Sequence, residues 1–452
     1  VTLRIAKLFS MSTSVLTSTS TVAFLSVVNP YPADSGKKVV LDGMLAHLVD
    51  RLGRENVHYL LIGAKPDEVP ADFPATLHLL PGPSAKEKLA GLLTRVATGR
   101  SSLQEALTRS GTVARAITEK LAELDVDLEV YDTVRVGQYA PTGGTARRVC
   151  YLDDLFSERY RMMLERMRTN PELELNPLGT FAEHVPGPLR RIAELPLAQR
   201  ALLTYEQRAI ARSEVAAARR FDRCLLVNAR EARSLADRAY VGHGDVVAIP
   251  PVVRARGGAR EFRGGAEFVF LGLLSQPWNE DGLRSFVDEV WPELLRRRPD
   301  ARLRVIGREA PAWLTELAAA QPANVSVEGF VADLDAALST ATAMLNPARF
   351  GTGVKIKVIE AIGRGLPVVS TPLGADGVAS GRGTGVLTPA DVDAWVEELL
   401  RLTDEAQNER ESVAALTHYA RRYSREAAFA AYDEALGLAG GSPSAAEEQV
   451  AA

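Results

Sequence analysis

The stretch from Asn346 to Ser370 (NPARFGTGVKIKVIEAIGRGLPVVS) holds the densest chemistry in this chain. Gly351 and Gly353 allow a tight turn and a close approach of backbone to a ligand. Lys355 and Lys357 stand where a helix should begin. Cations at that end oppose the helix dipole, and an anion bound to the free N–H groups there would relieve the conflict. Glu360 follows Lys357 by three residues, so the two share a helix face, and its carboxylate can accept hydrogen bonds from sugar hydroxyls. The pattern suits an anionic ligand, although a glycine–lysine turn also serves as a plain strand-to-helix connection.

The first half offers weaker candidates. Asp153 and Asp154 end an apolar strand, where they can either bind the hydroxyls of an acceptor or cap the next helix. Glu231 follows another strand end (Asn228-Ala-Arg-Glu231) and suits a helix first turn equally well. His184 sits in the irregular run GTFAEHVPG as a candidate acceptor contact or a surface loop residue.

Apolar runs alternating with amphipathic segments must position these groups. Thr21–Asn29, Val57–Gly63, Thr76–Leu80, Leu128–Val136, Arg148–Leu152, Arg223–Asn228 and Val246–Ile249 read as strands of one half. Glu267–Gly272, Ala301–Gly307, Val325–Glu328, Ala343–Pro347 and Leu366–Ser370 read as strands of the other, with single helices at Asp281–Arg298 and Tyr419–Leu436. Continuous apolar strands joined by helices indicate parallel sheets covered on both faces. The expectation is an α/β protein of two doubly wound, Rossmann-like domains, residues 21–249 and 266–418, joined by a Pro/Gly/Arg-rich linker at 250–265. Ligands in such folds bind beyond the carboxyl ends of the strands, and two facing domains create a cleft there. An Arg-rich insertion, Phe156–Arg220, reads as a solvated helical surface or as a patch for an anionic acceptor or membrane surface.

Composition narrows the classes. The 452 residues suit two or three domains at about 150 residues each. A net charge of -4 argues against a nucleic-acid binder, and two cysteines exclude a disulfide framework. No apolar run of about 18 residues exists, so no transmembrane helix is expected. Residues 1–20 carry a broken apolar run without a cleavage signal, Met11 is an alternative start, and Gly437–Ala452 reads as a disordered tail. No metal-ligand spacing stands out.

The segment 346–370 resembles the donor-nucleotide motif of retaining glycosyltransferase family four, which has the GT-B fold. That family reads roughly K-x-x-E-A-x-x-x-G-x-P-V-V, and Lys357, Glu360, Ala361, Gly365, Pro367, Val368 and Val369 match. Phe270–Gly272, Val305–Gly307, Val327–Val331 and Asp376–Gly377 resemble its other motifs. The resemblance implies that Glu360 binds the donor ribose and that Lys357 with Lys355 holds the diphosphate. It further implies that Phe330 and Val331 touch the base, and that Gly351, Thr352, Gly353 and Val354 approach the sugar or phosphates. The loop Pro32–Lys38 resembles the family's first loop, implying donor contact at Gly36 and acceptor contact at Asp34 and Ser35. In this fold the last helix, 419–436, crosses back to the first domain.

Two departures stand out. Many relatives have a glutamate where this chain has Thr352, and the loop Leu273–Asn279 lacks the cation found there in relatives. The resemblance implies a bacterial enzyme that moves a sugar from a nucleotide diphosphate sugar to a hydroxyl acceptor, a cell-envelope polysaccharide intermediate or a specialised metabolite. It implies retention, no metal and no cofactor beyond the donor substrate. The expected setting is cytoplasmic, with peripheral association at the inner face of the membrane open. The alternatives are a non-catalytic sugar-nucleotide-binding protein and a GT-B epimerase.

Overall fold

The computed structural model describes residues 16–169, 196–253, 260 and 262–438. His184, residues 254–259 and 261 of the linker, and the two chain ends lie outside the described residues.

Two parallel sheets organise the chain. The first has the order β3-β2-β1-β4-β5-β6-β7, with β1 Val22–Ser26, β2 Val57–Ile62, β3 Thr76–Leu80, β4 Leu128–Asp132, β5 Arg147–Asp153, β6 Arg223–Leu226 and β7 Val246–Ala248. The second has the order β10-β9-β8-β11-β12-β13, with β8 Glu267–Leu271, β9 Arg302–Ile306, β10 Val325–Gly329, β11 Ala343–Asn346, β12 Val368–Ser370 and β13 Val386–Leu387. Apolar residues fill both faces of the central strands. In β1, Val22 and Phe24 join one packed layer while Ala23 and Leu25 join the opposite one. In β8, Phe268 and Phe270 divide in the same way from Val269 and Leu271. This two-sided burial is why these strands read as unbroken apolar runs.

Strand order reverses between β1 and β4 in the first sheet and between β8 and β11 in the second. These are the positions where a doubly wound fold opens a crevice. The loop after β1 leads into the helix Gly36–Leu52, and the loop after β11 leads into the helix Ile356–Gly363.

The domains also share a core. Tyr160 and Met163 of the helix Phe156–Thr169, with Leu203 and Ile210 of Pro196–Arg220, enclose Phe350 of the second domain, and Trp278 packs edge-on to Phe350 at 6.5 Å. Part of the insertion is therefore buried interface rather than a solvated surface.

Three elements differ from the sequence reading. The segment 281–298 forms two helices, Pro277–Glu289 and Trp291–Arg297, because Pro292 restarts the chain. The segment 419–436 is also two helices. Glu405–Arg422 packs on the second domain through Ala415, and Arg425–Leu436 packs on the first through Phe429 and Tyr432. Ser424 divides them as the N-cap, accepting the N–H of Ala427. The strand expected to reach Val136 stops at Asp132, where Thr133 adopts φ 64°. Among the described residues no helix is long and apolar enough to cross a membrane.

Candidate functional site

The turn after β11 needs both of its glycines. Gly351 has φ 116° and Gly353 φ 69°, conformations that side-chain-bearing residues rarely adopt. The turn delivers the chain to the helix Ile356–Gly363, whose N-cap Lys355 makes no side-chain cap. Across the cleft the helix Gly36–Leu52 starts with the same lack, since Ser35 makes no side-chain cap. The two helix starts touch: a Cβ on Gly36 would lie 3.3 Å from Cγ1 of Ile356. Two uncapped N-termini with positive dipole ends thus converge on one point, a ready-made setting for an anion.

The lysines are close by and tightly held. Lys355 Nζ donates to the carbonyl of Thr352 at 2.8 Å. Lys357 Nζ donates to the carbonyl of Leu271 and to Asn279 Oδ1, both at 2.9 Å, and lies 4.6 Å from the Phe270 ring centroid. Burial lowers Lys355 to about 8. Burial, with the charge of Lys355, lowers Lys357 to about 7. Asn279, in the first turn of the helix Pro277–Glu289 and at the end of the segment that lacks the cation of relatives, serves as an acceptor that orients Lys357. Glu360 is half-buried, burial raises its carboxyl above the usual range, and its carboxylate makes no hydrogen bond or ion pair among the described residues. Phe330, 75% exposed, follows Gly329 at the end of edge strand β10, with Val331 packed beside the layer that holds Val358 and Ile359.

On the first-domain side, Asp34 pairs with Lys38 at 2.9 Å on the surface. Lys37 reaches inward to Asp132 at 2.7 Å, and Ser26 Oγ donates to the other oxygen of Asp132 at 2.7 Å. Lys37 also lies 3.9 Å from Asp153. Asp153 has φ 70° and accepts the Tyr151 hydroxyl at 2.8 Å; burial raises its pKa against the opposing charge of Lys37. Left-handed backbone at Thr133 and Asp153, adjacent strand ends, is strain of the kind found at functional sites.

Several contacts tie the domains together at the cleft. Asp154 accepts the Thr352 hydroxyl and the Arg159 guanidinium, and Arg159 Nε donates to Thr352 Oγ1 at 3.1 Å. Burial would raise Asp154, but Arg159 and Thr352 outweigh it and hold the carboxyl below its ordinary value. Glu231 accepts the N–H groups of Leu155 and Gly353, each at 2.8 Å. Arg230 and Asn228 both donate to Asp376, Asn228 at 2.9 Å. Arg166 pairs with Asp281 at 2.6 Å.

Of the sequence candidates, the structure brings Gly36, Thr352, Gly353, Asp154 and the two lysines into one region. It leaves Asp34 paired on the surface. Lys37, Asp132, Arg159 and Asn279 are parts of the site that pattern reading missed. A lysine one residue inside a helix, facing an aspartate that ends a strand, was the available signal for the first pair.

Part of the chain and its overall fold resemble known proteins. Residues 265–405 match the family model described as glycosyl transferases group 1. An uncharacterized 44.6 kDa protein in the cps region of Klebsiella pneumoniae is 24% identical over 149 residues, a stretch that spans 32% of this chain and 38% of that protein. S. aureus TarM superimposes with a TM-score of 0.62 at 8% identity, covering 92% of this chain and 98% of its own. Anabaena HepE in complex with UDP and glucose superimposes with a TM-score of 0.57 at 13% identity, covering 92% and 99%. The fold is that of the GT-B glycosyltransferases, and the second domain, residues 265–405, carries the match to a glycosyltransferase family model.

Proposed function

We propose that this chain moves a sugar, with retention at the anomeric carbon, from a nucleotide diphosphate sugar to a hydroxyl acceptor. The observation that carries the reading is the convergence of two uncapped helix N-termini beside Lys355 and Lys357, with the unpartnered Glu360 carboxylate on the same helix. The diphosphate sits at the helix starts, and Glu360 accepts hydrogen bonds from the ribose. As the sugar–phosphate bond breaks, negative charge grows on the departing diphosphate, and the lysines and oriented N–H groups stabilise it. Cations and dipoles meet that charge, so the reading needs no metal and no cofactor beyond the donor.

The acceptor lies against the first domain, where Asp153 and Lys37 offer an acceptor and a donor of hydrogen bonds. Its hydroxyl attacks from the face the diphosphate leaves, and a diphosphate oxygen takes the proton. The chain acts in the cytoplasm or at the inner face of the membrane. Because HepE is described with UDP, uridine donors are the first to try.

The test is a panel of UDP, GDP, ADP and dTDP, with their sugars, read by thermal shift and then by calorimetry. At least one should stabilise the protein, and Glu360→Ala should weaken its binding. No stabilisation by any of them, or unchanged affinity in Glu360→Ala, overturns the donor site. Sugar release or transfer by the wild type separates an enzyme from a binding module, the rival that Thr352 raises.

A further inference from the structure

This inference rests on the donor site proposed above. A diphosphate held at the two helix starts places the donor sugar over the turn Gly351–Val354. That turn carries no carboxylate of its own, only two glycines, Thr352 and Val354. Sugar hydroxyls and the cationic character that develops at an anomeric carbon both call for one.

Among the described residues two acids hydrogen-bond to the turn, and both come from the other domain. Glu231 uses one oxygen on the N–H of Leu155 and the other on the N–H of Gly353. Asp154 is different. Its Oδ2 accepts both Thr352 Oγ1 and Arg159, while its Oδ1 is buried with no hydrogen-bond partner. The residue is 3% exposed. An acceptor buried without a partner is costly and calls for an explanation. Gly353, glycine for its φ of 69°, lies directly against Asp154: a Cβ there would stand in ordinary contact, 3.4 Å from the Asp154 Cβ.

We infer that Asp154 belongs to the donor-sugar subsite, supplied from across the cleft: Thr352 and Arg159 fix one carboxylate oxygen, and the other accepts a sugar hydroxyl. Thr352 is then a positioning residue for a carboxylate that the turn itself lacks. The sugar is fully recognised only with the domains together, which keeps water from the donor until then.

The test compares UDP, GDP, ADP and dTDP alone with their glucose conjugates in wild type and Asp154→Asn. The nucleoside diphosphate that binds should keep its affinity in Asp154→Asn. The conjugate should lose about tenfold or more, and transfer should slow by about a hundredfold. Thr352→Val, which removes only the hydroxyl, should shift the conjugate in the same direction by less. The double variant D154N/T352E, which returns a carboxylate from the turn's own side, should recover part of the rate. Equal losses for diphosphate and conjugate mark a merely structural residue and overturn the inference. So does an unchanged conjugate affinity and rate. If wild type binds none of the nucleotides, the donor site itself falls, and this inference with it.

Discussion

Glu231 accepts the backbone N–H of Gly353 at 2.8 Å while its other oxygen accepts that of Leu155 at the same distance. One carboxylate thereby joins the loop after β5 in the first domain to the glycine turn of the second. Burial, with the nearby charge of Asp154, raises its pKa to about 7.

That shift fixes a pH dependence. A carboxyl whose folded pKa lies above its unfolded value favours the fold in its protonated form. Its contribution is complete below the unfolded value of about 4.5 and is lost as pH rises through about 7. Glu231→Gln keeps one of the two acceptor oxygens and is neutral at every pH, so whatever stability it loses, its melting temperature should depend less on pH across that window than wild type does. Identical slopes in the two proteins would contradict the assignment.

The lowered lysines predict proton uptake. Lys357 at about 7 and Lys355 at about 8 are partly neutral near pH 7.5. A bound diphosphate favours their charged forms, so binding should take up protons at that pH and tighten as pH falls from about 9 to 7. Calorimetry in buffers of different ionisation enthalpy reads the uptake, and Lys357→Met should reduce it. Uptake that is the same in the variant sinks the explanation.

The Arg166–Asp281 pair spans the domains, with side chains 16% and 4% exposed. Removing one buried partner leaves an uncompensated charge, so Arg166→Met should cost about 3 kcal/mol in urea denaturation. The double variant R166M/D281L should lose clearly less than the sum of the single variants. Strict additivity would show that the pair is not coupled.

The C-terminal helix is held by Asp433, which meets His47 and Arg51, each at 2.8 Å. Burial lowers His47 to about 4, so the ring is neutral near pH 7, and its Nε2–H donates to Asp433. Asp433→Ala should destabilise the protein by about 2 kcal/mol. It should also quicken proteolysis next to Ser424. Unchanged cleavage there would mean that apolar packing alone retains the helix.

The sequence exposed what is local. Apolar strands buried on both faces, such as Val22–Ser26, announce a parallel sheet without help from the rest of the chain. The two glycines and two lysines after β11 likewise mark a tight turn into a helix, because they lie within seven residues of chain. What joins the halves was not legible. Thr352 and Asp154 are 198 positions apart, and Glu231 and Gly353 are 122 apart, so no periodicity links them. Asp154 read as an acceptor contact because its strand-end position showed, while the turn it meets did not. The break at Ser424 was in view as an N-cap residue, but the apolar spacing continues across it and masked the change of domain.

Among the described residues the chain passes between the domains beside Val253 and beside Ser424. Tyr419, one turn before the second crossing, donates its hydroxyl to the carbonyl of Val253 at the first, at 2.5 Å. The two crossings are therefore pinned side by side and act as a single axle. Opening the cleft is then a swing about that axle, with contacts away from it, such as Arg166 with Asp281, forming the travelling rim. Spin labels placed either side of the axle should hold their separation as nucleotide is added, while a pair across the rim should report the closing arc.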